Sequence, residues 1–131
     1  MTADRDRPIS PHLQVYRLPL NAVTSITHRL TGLLLALGAV IVVAFLVAAA
    51  DGSQSYRIAY DLAASGIGRL ILAAFTLALY YHLCAGVRHL FWDAGYGFDL
   101  DAARKGSWLV IAGAIVLTVV TWLLAFAVNG A

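Results

Sequence analysis

Three uncharged stretches dominate the pattern of apolar and polar positions along the chain: 21 residues over 30–50, 18 over 70–87 and 21 over 108–128. A hydrocarbon core of about 30 Å takes roughly 20 helical residues to cross, so each window is long enough and the second is barely so. Lipid offers backbone N–H and C=O groups no water to bond, which makes each window a helix rather than a strand. The expected fold class is all-α: an integral membrane protein with three transmembrane helices at about 30–50, 68–90 and 108–128, forming a single domain over 1–131. Short core helices of a water-soluble protein are the competing reading, and three windows of this length in 131 residues argue against it. Pro8, Pro11 and Pro19 precede the first window, so residues 1–20 read as an extended, turn-rich arm, with 1–29 comprising that arm and the start of helix 1. Gly52, Ser53 and Gly66 mark one connection, with a short surface helix over 59–64, and Gly95 and Gly97 mark the other, over 94–106.

Composition supports the membrane reading, with 61% of residues hydrophobic and 12% charged, against about 45–50% and about 25% in soluble domains. The acids are seven Asp and no Glu, the bases eight Arg and one Lys, and the net charge of +2 is too small to argue for nucleic acid. A single cysteine, Cys84, excludes an internal disulfide and any multi-cysteine cluster motif. Ala48-Ala49-Ala50 before Asp51 imitates a signal-peptidase site, but the apolar run ahead of it is too long, so the first window is read as a retained helix. Asp4 and Asp6 are unlike a transit peptide, which favours a bacterial protein over an imported precursor. Arg5, Arg7, Arg17 and Arg29 precede the first span, and Arg88, Arg104 and Lys105 lie between the second and third. These two regions share one side, which the positive-inside rule makes cytoplasmic, leaving the C-terminus periplasmic. Trp92, Tyr96, Phe98 and Trp108 suit the same interface.

In so apolar a chain the polar residues at membrane depth carry the chemistry. His82 lies about 9 Å inside the end of its helix at 1.5 Å per residue. Its face reads Ala74, Ala78, His82, Ala85, Gly86 and His89, a lane of small residues around an imidazole. Neutral imidazole is a haem ligand, and equally a side chain that bonds a neighbouring helix. His89 stands about 10 Å further along the same helix and cannot share one iron with His82. A second axial ligand would come from His28, His12 or another chain. The other cluster opens helix 1, where Ser25 and Arg29 share a face that Gly32 and Ala36 continue. A hydroxyl beside a guanidinium can orient a quinone carbonyl or a haem propionate; the alternative is a helix cap followed by interfacial Arg and His. Cys84 is read as a small buried hydrophobe on another face, and Arg88 and Asp93 as a surface pair.

Three runs carry a resemblance: Arg7-Pro8-Ile9-Ser10-Pro11-His12-Leu13-Gln14-Val15-Tyr16; Ser25-Ile26-Thr27-His28-Arg29-Leu30-Thr31-Gly32; and His82 with Gly86-Val87-Arg88-His89-Leu90 and Trp92-Asp93. In order, and over nearly the whole chain, they resemble the cytochrome b556 membrane-anchor subunits of succinate dehydrogenase, respiratory complex II. The resemblance implies a three-helix anchor paired with a second anchor subunit, the pair sharing one haem b and carrying an iron–sulfur subunit and a flavoprotein subunit. It implies that His82 is the haem iron ligand from this chain, with the opposite ligand from the second anchor. Ser25 and Arg29 match quinone-site residues, and His28 and Arg29 match residues at the haem propionates. Ubiquinone would be the substrate, membrane lipid the surroundings and the bacterial inner membrane the location. Succinate would be oxidised in another subunit, because this chain has neither a dinucleotide fingerprint nor a cluster-binding cysteine set. A haem-free structural anchor and the anchor of a quinol:fumarate reductase are the alternatives.

Overall fold

The computed structural model describes residues 17–129, which form four helices: α1 (Leu20–Asp51), α2 (Ser53–Ala64), α3 (Gly66–Asp93) and α4 (Leu100–Asn129). There is no strand among the described residues. By length and composition α1, α3 and α4 can each cross a membrane. The expected arm over 1–20, and His12 within it, fall outside the described residues except for 17–20.

Every helix is longer than its apolar window. α1 begins at Leu20, directly after Pro19, ten residues before its uncharged stretch. α2 covers Ser53–Ala64, where a helix only over 59–64 was expected. α4 begins at Leu100, so half of the expected 94–106 connection is helical. The reason is common to all. Lipid requires an apolar surface only where lipid is, whereas a helix continues as long as its backbone bonds close and its polar side chains find partners. Gly95 and Gly97, at φ +88° and +84°, supply the left-handed backbone that turns the chain out of α3.

The helices run up, down and up. α3 packs against both α1 and α4, and α1 also touches α4. The start of α1, the end of α3 and the start of α4 meet through Thr24, Arg88 and Ser107. At the far end α2 lies against α1 through Phe45 and Tyr56, whose ring centroids are 5.5 Å apart. The start of α1 and the 94–99 turn therefore share one end.

The core is narrow and made of small residues: Ala78, Ala85, Val110 and Ala114 are buried, while Leu33, Leu37, Val40, Ile41, Leu109 and Leu123 stand exposed. This inverts a soluble protein and is what lipid solvent produces, since close approach of backbones rather than burial of large apolar groups holds membrane helices together. Gly38 shows the closeness: a Cβ there would overlap the ring of Phe75. Tyr80 and Thr121 join α3 to α4 through their hydroxyls at 2.7 Å. Cys84 is half-buried, and its Sγ sits 3.2 Å from where a Cβ on Gly113 would be, so it acts as a small packing group.

Candidate functional site

The chemistry-bearing residues gather where α1 starts and α3 ends. One face of α1 presents Asn21, Thr24, His28 and Thr31, spaced three or four residues apart and directed at α3 and α4. Thr24 and Thr31 are buried. Each hydroxyl donates back along its own helix, Thr24 to the Asn21 carbonyl at 3.0 Å and Thr31 to the His28 carbonyl at 2.9 Å. Their protons being committed, both oxygens are left as acceptors for α3.

Thr31 is used by His82. The imidazole Nδ1 lies 3.2 Å from the His28 carbonyl oxygen and 3.3 Å from Thr31 Oγ1. A carbonyl can only accept, so the proton is on Nδ1 and the lone pair on Nε2. Nε2 is neither buried nor bonded to any described residue. Gly32 allows the ring so near α1, because a Cβ there would stand 3.0 Å from His82 Cε1. A His fixed through Nδ1 to a backbone carbonyl, with Nε2 left free, is the arrangement metal-ligating histidines adopt.

His28 lies between the other two imidazoles. Its ring centroid is 4.3 Å from that of His82 and 5.1 Å from that of His89, and His89 continues edge-on to Trp92 at 4.9 Å. The seven-residue separation of His82 and His89 is thus filled by a third ring. Rings in contact leave no room for a porphyrin between them, so His28 could not serve as a ligand opposite His82. Its Nε2 is buried without a hydrogen-bond partner, a costly state for which an anionic oxygen would be a suitable partner.

Ser25 and Arg29 are one position round from the inner stripe. Ser25 is half-buried and Arg29 exposed, and neither side chain is bonded to another described residue. They keep the shared face expected of an i, i+4 pair and turn it away from the bundle.

Arg88 overturns an expectation. It does not pair with Asp93 at the surface but is buried, with 7% of its area exposed. Nη1 donates to Thr24 Oγ1 at 3.1 Å and to Ser107 Oγ at 2.7 Å, and the guanidinium lies over the Trp92 ring, 4.6 Å from its centroid. Ser107 donates in turn to Asn21 Oδ1 at 2.7 Å, and Tyr81 to the Thr24 carbonyl at 3.2 Å. A charge beside apolar helices gains more from two hydroxyl acceptors and an aromatic face than from a solvated carboxylate. This knot ties the three spanning helices together beside the imidazoles. Its signal in the sequence was the Asn21, Thr24, His28, Thr31 spacing, which the more prominent Ser25 and Arg29 obscured. We expect Thr24→Val to lower stability by about 1.5–3 kcal/mol, the usual worth of a hydrogen bond to a charged group, seen as earlier thermal unfolding in detergent.

The small-residue lane divides. Ala78 and Ala85 are taken up in helix packing, whereas Ala74 is exposed and a Cβ on Gly86 would meet nothing within 4 Å. A cavity of about 510 Å³ lies elsewhere, between α3 and α4, with Leu83, Phe91, Leu109 and Leu117 in its wall. It does not include Ser25, Arg29 or His82.

Comparison with known proteins agrees with this arrangement. The model of the succinate dehydrogenase/fumarate reductase transmembrane subunit family matches residues 3–121. The chain belongs to that family. It is 49% identical over 121 residues to the succinate dehydrogenase cytochrome b556 subunit of Paracoccus denitrificans, covering 92% of this chain and 93% of the relative. It is 40% identical over 116 residues to the cytochrome b556 subunit of Rickettsia felis, covering 88% and 90%. The cytochrome b560 subunit of succinate dehydrogenase from Reclinomonas americana is 36% identical over 124 residues, covering 91% and 86%. The match spans both runs that carry the site, Ser25–Gly32 and His82–His89, together with all of α1, α2 and α3. Membership makes the three long helices those of a transmembrane family, as their length and composition require.

Proposed function

We propose that the chain is the membrane-anchor cytochrome b subunit of a succinate:ubiquinone oxidoreductase, which helps hold a b-type haem and forms part of the site where ubiquinone is reduced. The observation that carries this is His82, with Nδ1 committed to a backbone carbonyl and Nε2 free, in a chain nearly half identical to a cytochrome b556 subunit.

In this reading His82 Nε2 would hold the haem iron from this chain, and a histidine of a second anchor subunit would hold it from the other. His28, with its unpaired Nε2, and Arg29 would hold the propionates. A bound haem supplies a one-electron centre whose potential depends on its axial ligands and surroundings.

Ser25 and Arg29 orient a carbonyl of ubiquinone at the edge of the bilayer. Each quinone takes up two electrons and two protons to become quinol. Arg29 stabilises the negative charge that develops on oxygen, as a fixed donor does in a site poor in water. It remains protonated throughout and is not the proton source. Protons pass through the Ser25 hydroxyl, water or a group of the partner subunit. Electrons come from a flavoprotein subunit, where succinate is oxidised, by way of an iron–sulfur subunit. Both sit on the cytoplasmic side of a bacterial inner membrane, where Arg17, Arg29, Arg88, Arg104 and Lys105 cluster. The exposed apolar faces of α1 and α4 are free for the second anchor and lipid.

The test is the reduced-minus-oxidised absorption spectrum of the purified complex. A b-type haem band is expected. A complex active in succinate oxidation that shows no haem would make this chain a structural anchor only.

A further inference from the structure

We propose that Thr31 is the residue that positions the haem ligand: its hydroxyl oxygen, with the His28 carbonyl, holds His82 in one tautomer and one ring orientation. The inference rests on the assignment of His82 as ligand and extends it to a residue of α1 that does not touch the iron.

Thr31 is buried, with 6% of its area exposed. Its proton goes to the His28 carbonyl at 2.9 Å. The oxygen that remains toward α3 is therefore an acceptor, 3.3 Å from His82 Nδ1. The His28 carbonyl can only accept from Nδ1, and Thr31 Oγ1 accepts as well while its own proton is on that carbonyl. The tautomer with Nδ1 bare would set a lone pair against the carbonyl oxygen and leave that contact unbonded, so the ring is held with Nε2 as its basic nitrogen.

Orientation follows from the same contacts. The acceptors lie on one turn of α1, and the Gly32 backbone closes the side of the ring at Cε1, where a Cβ would come within 3.0 Å. The imidazole plane is thus set by α1 while its Cα is carried on α3. An acceptor on the distal nitrogen also makes the coordinating nitrogen more basic, which favours the oxidised iron. Thr31 thereby lowers the reduction potential of the haem as well as fixing its ligand.

The experiment compares Thr31→Val and Thr31→Ser in the purified complex, reading haem content, the low-spin electron paramagnetic resonance spectrum and the haem midpoint potential. Val keeps the shape of Thr and removes the acceptor; Ser keeps the acceptor. Thr31→Val is expected to shift the largest g value and raise the midpoint potential, or to lose haem, while Thr31→Ser remains like the unaltered protein. A spectrum and potential unchanged in Thr31→Val overturn the proposal, as does an equal change in both variants, which would assign the effect to side-chain shape. His82→Ala in the same complex separates the two levels. Haem lost there with Thr31→Val unaltered removes the role of Thr31 alone; haem intact there removes the ligand assignment beneath it.

Discussion

Replacing His82 by Ala is expected to abolish the bis-imidazole haem spectrum of the complex. Of the imidazoles of α1 and α3, only His82 combines an anchored Nδ1 with an accessible Nε2 bonded to no described residue. His28 has its Nε2 enclosed, and its ring rests against those of both its neighbours. A methyl group in place of the ring would remove this chain's ligand to the iron, changing the spin state of the haem or releasing it. The cost to the helices is small: His82 is half-buried, and the His28 carbonyl keeps its donor from Thr31. His89→Ala is the control, since His89 meets His28 and Trp92 only as a ring. It should retain the axial spectrum that His82→Ala loses. Absorption and electron paramagnetic resonance spectra of the two variants decide the matter, and an undiminished bis-imidazole signal in His82→Ala would sink the assignment.

The second large effect is expected at Arg29. Arg29→Ala should slow ubiquinone reduction by about 10²-fold or more, the usual loss when one donor to a developing oxyanion is removed. Succinate oxidation measured with a soluble acceptor should survive, because the flavin site lies in another subunit. Arg29 is exposed and bonded to no described residue, so its removal leaves the packing of α1 intact. Equal loss of both activities would show failed assembly and withdraw Arg29 from the quinone site. Arg88 is a useful contrast. It is also a cation at this end of the bundle, but it is buried and holds three helices together, so its loss should act on stability before it acts on quinone.

The number of spans, their class and the side on which the basic residues collect were all legible in the sequence. Each follows from properties local in the chain: twenty apolar residues match the thickness of a bilayer whatever their neighbours are, and charge bias between spans is counted along the chain. His82, Ser25 and Arg29 stood out as candidates for a related reason, as polar residues in or beside apolar stretches. Tertiary structure decided what those exceptions do to one another. Helix ends moved outward because Asn21, Thr24 and Ser107 find partners across the bundle, and no window of hydropathy contains that information. Arg88 turned inward because two hydroxyls and an indole from separate segments met it there. His28 entered between His82 and His89 because α1 crosses α3 at that height. The proton on His82 Nδ1 is assigned by a carbonyl 54 residues earlier in the chain. Hydropathy acts through the solvent and is read one residue at a time, whereas a hydrogen bond between helices exists only once packing brings its donor and acceptor within about 3 Å of each other.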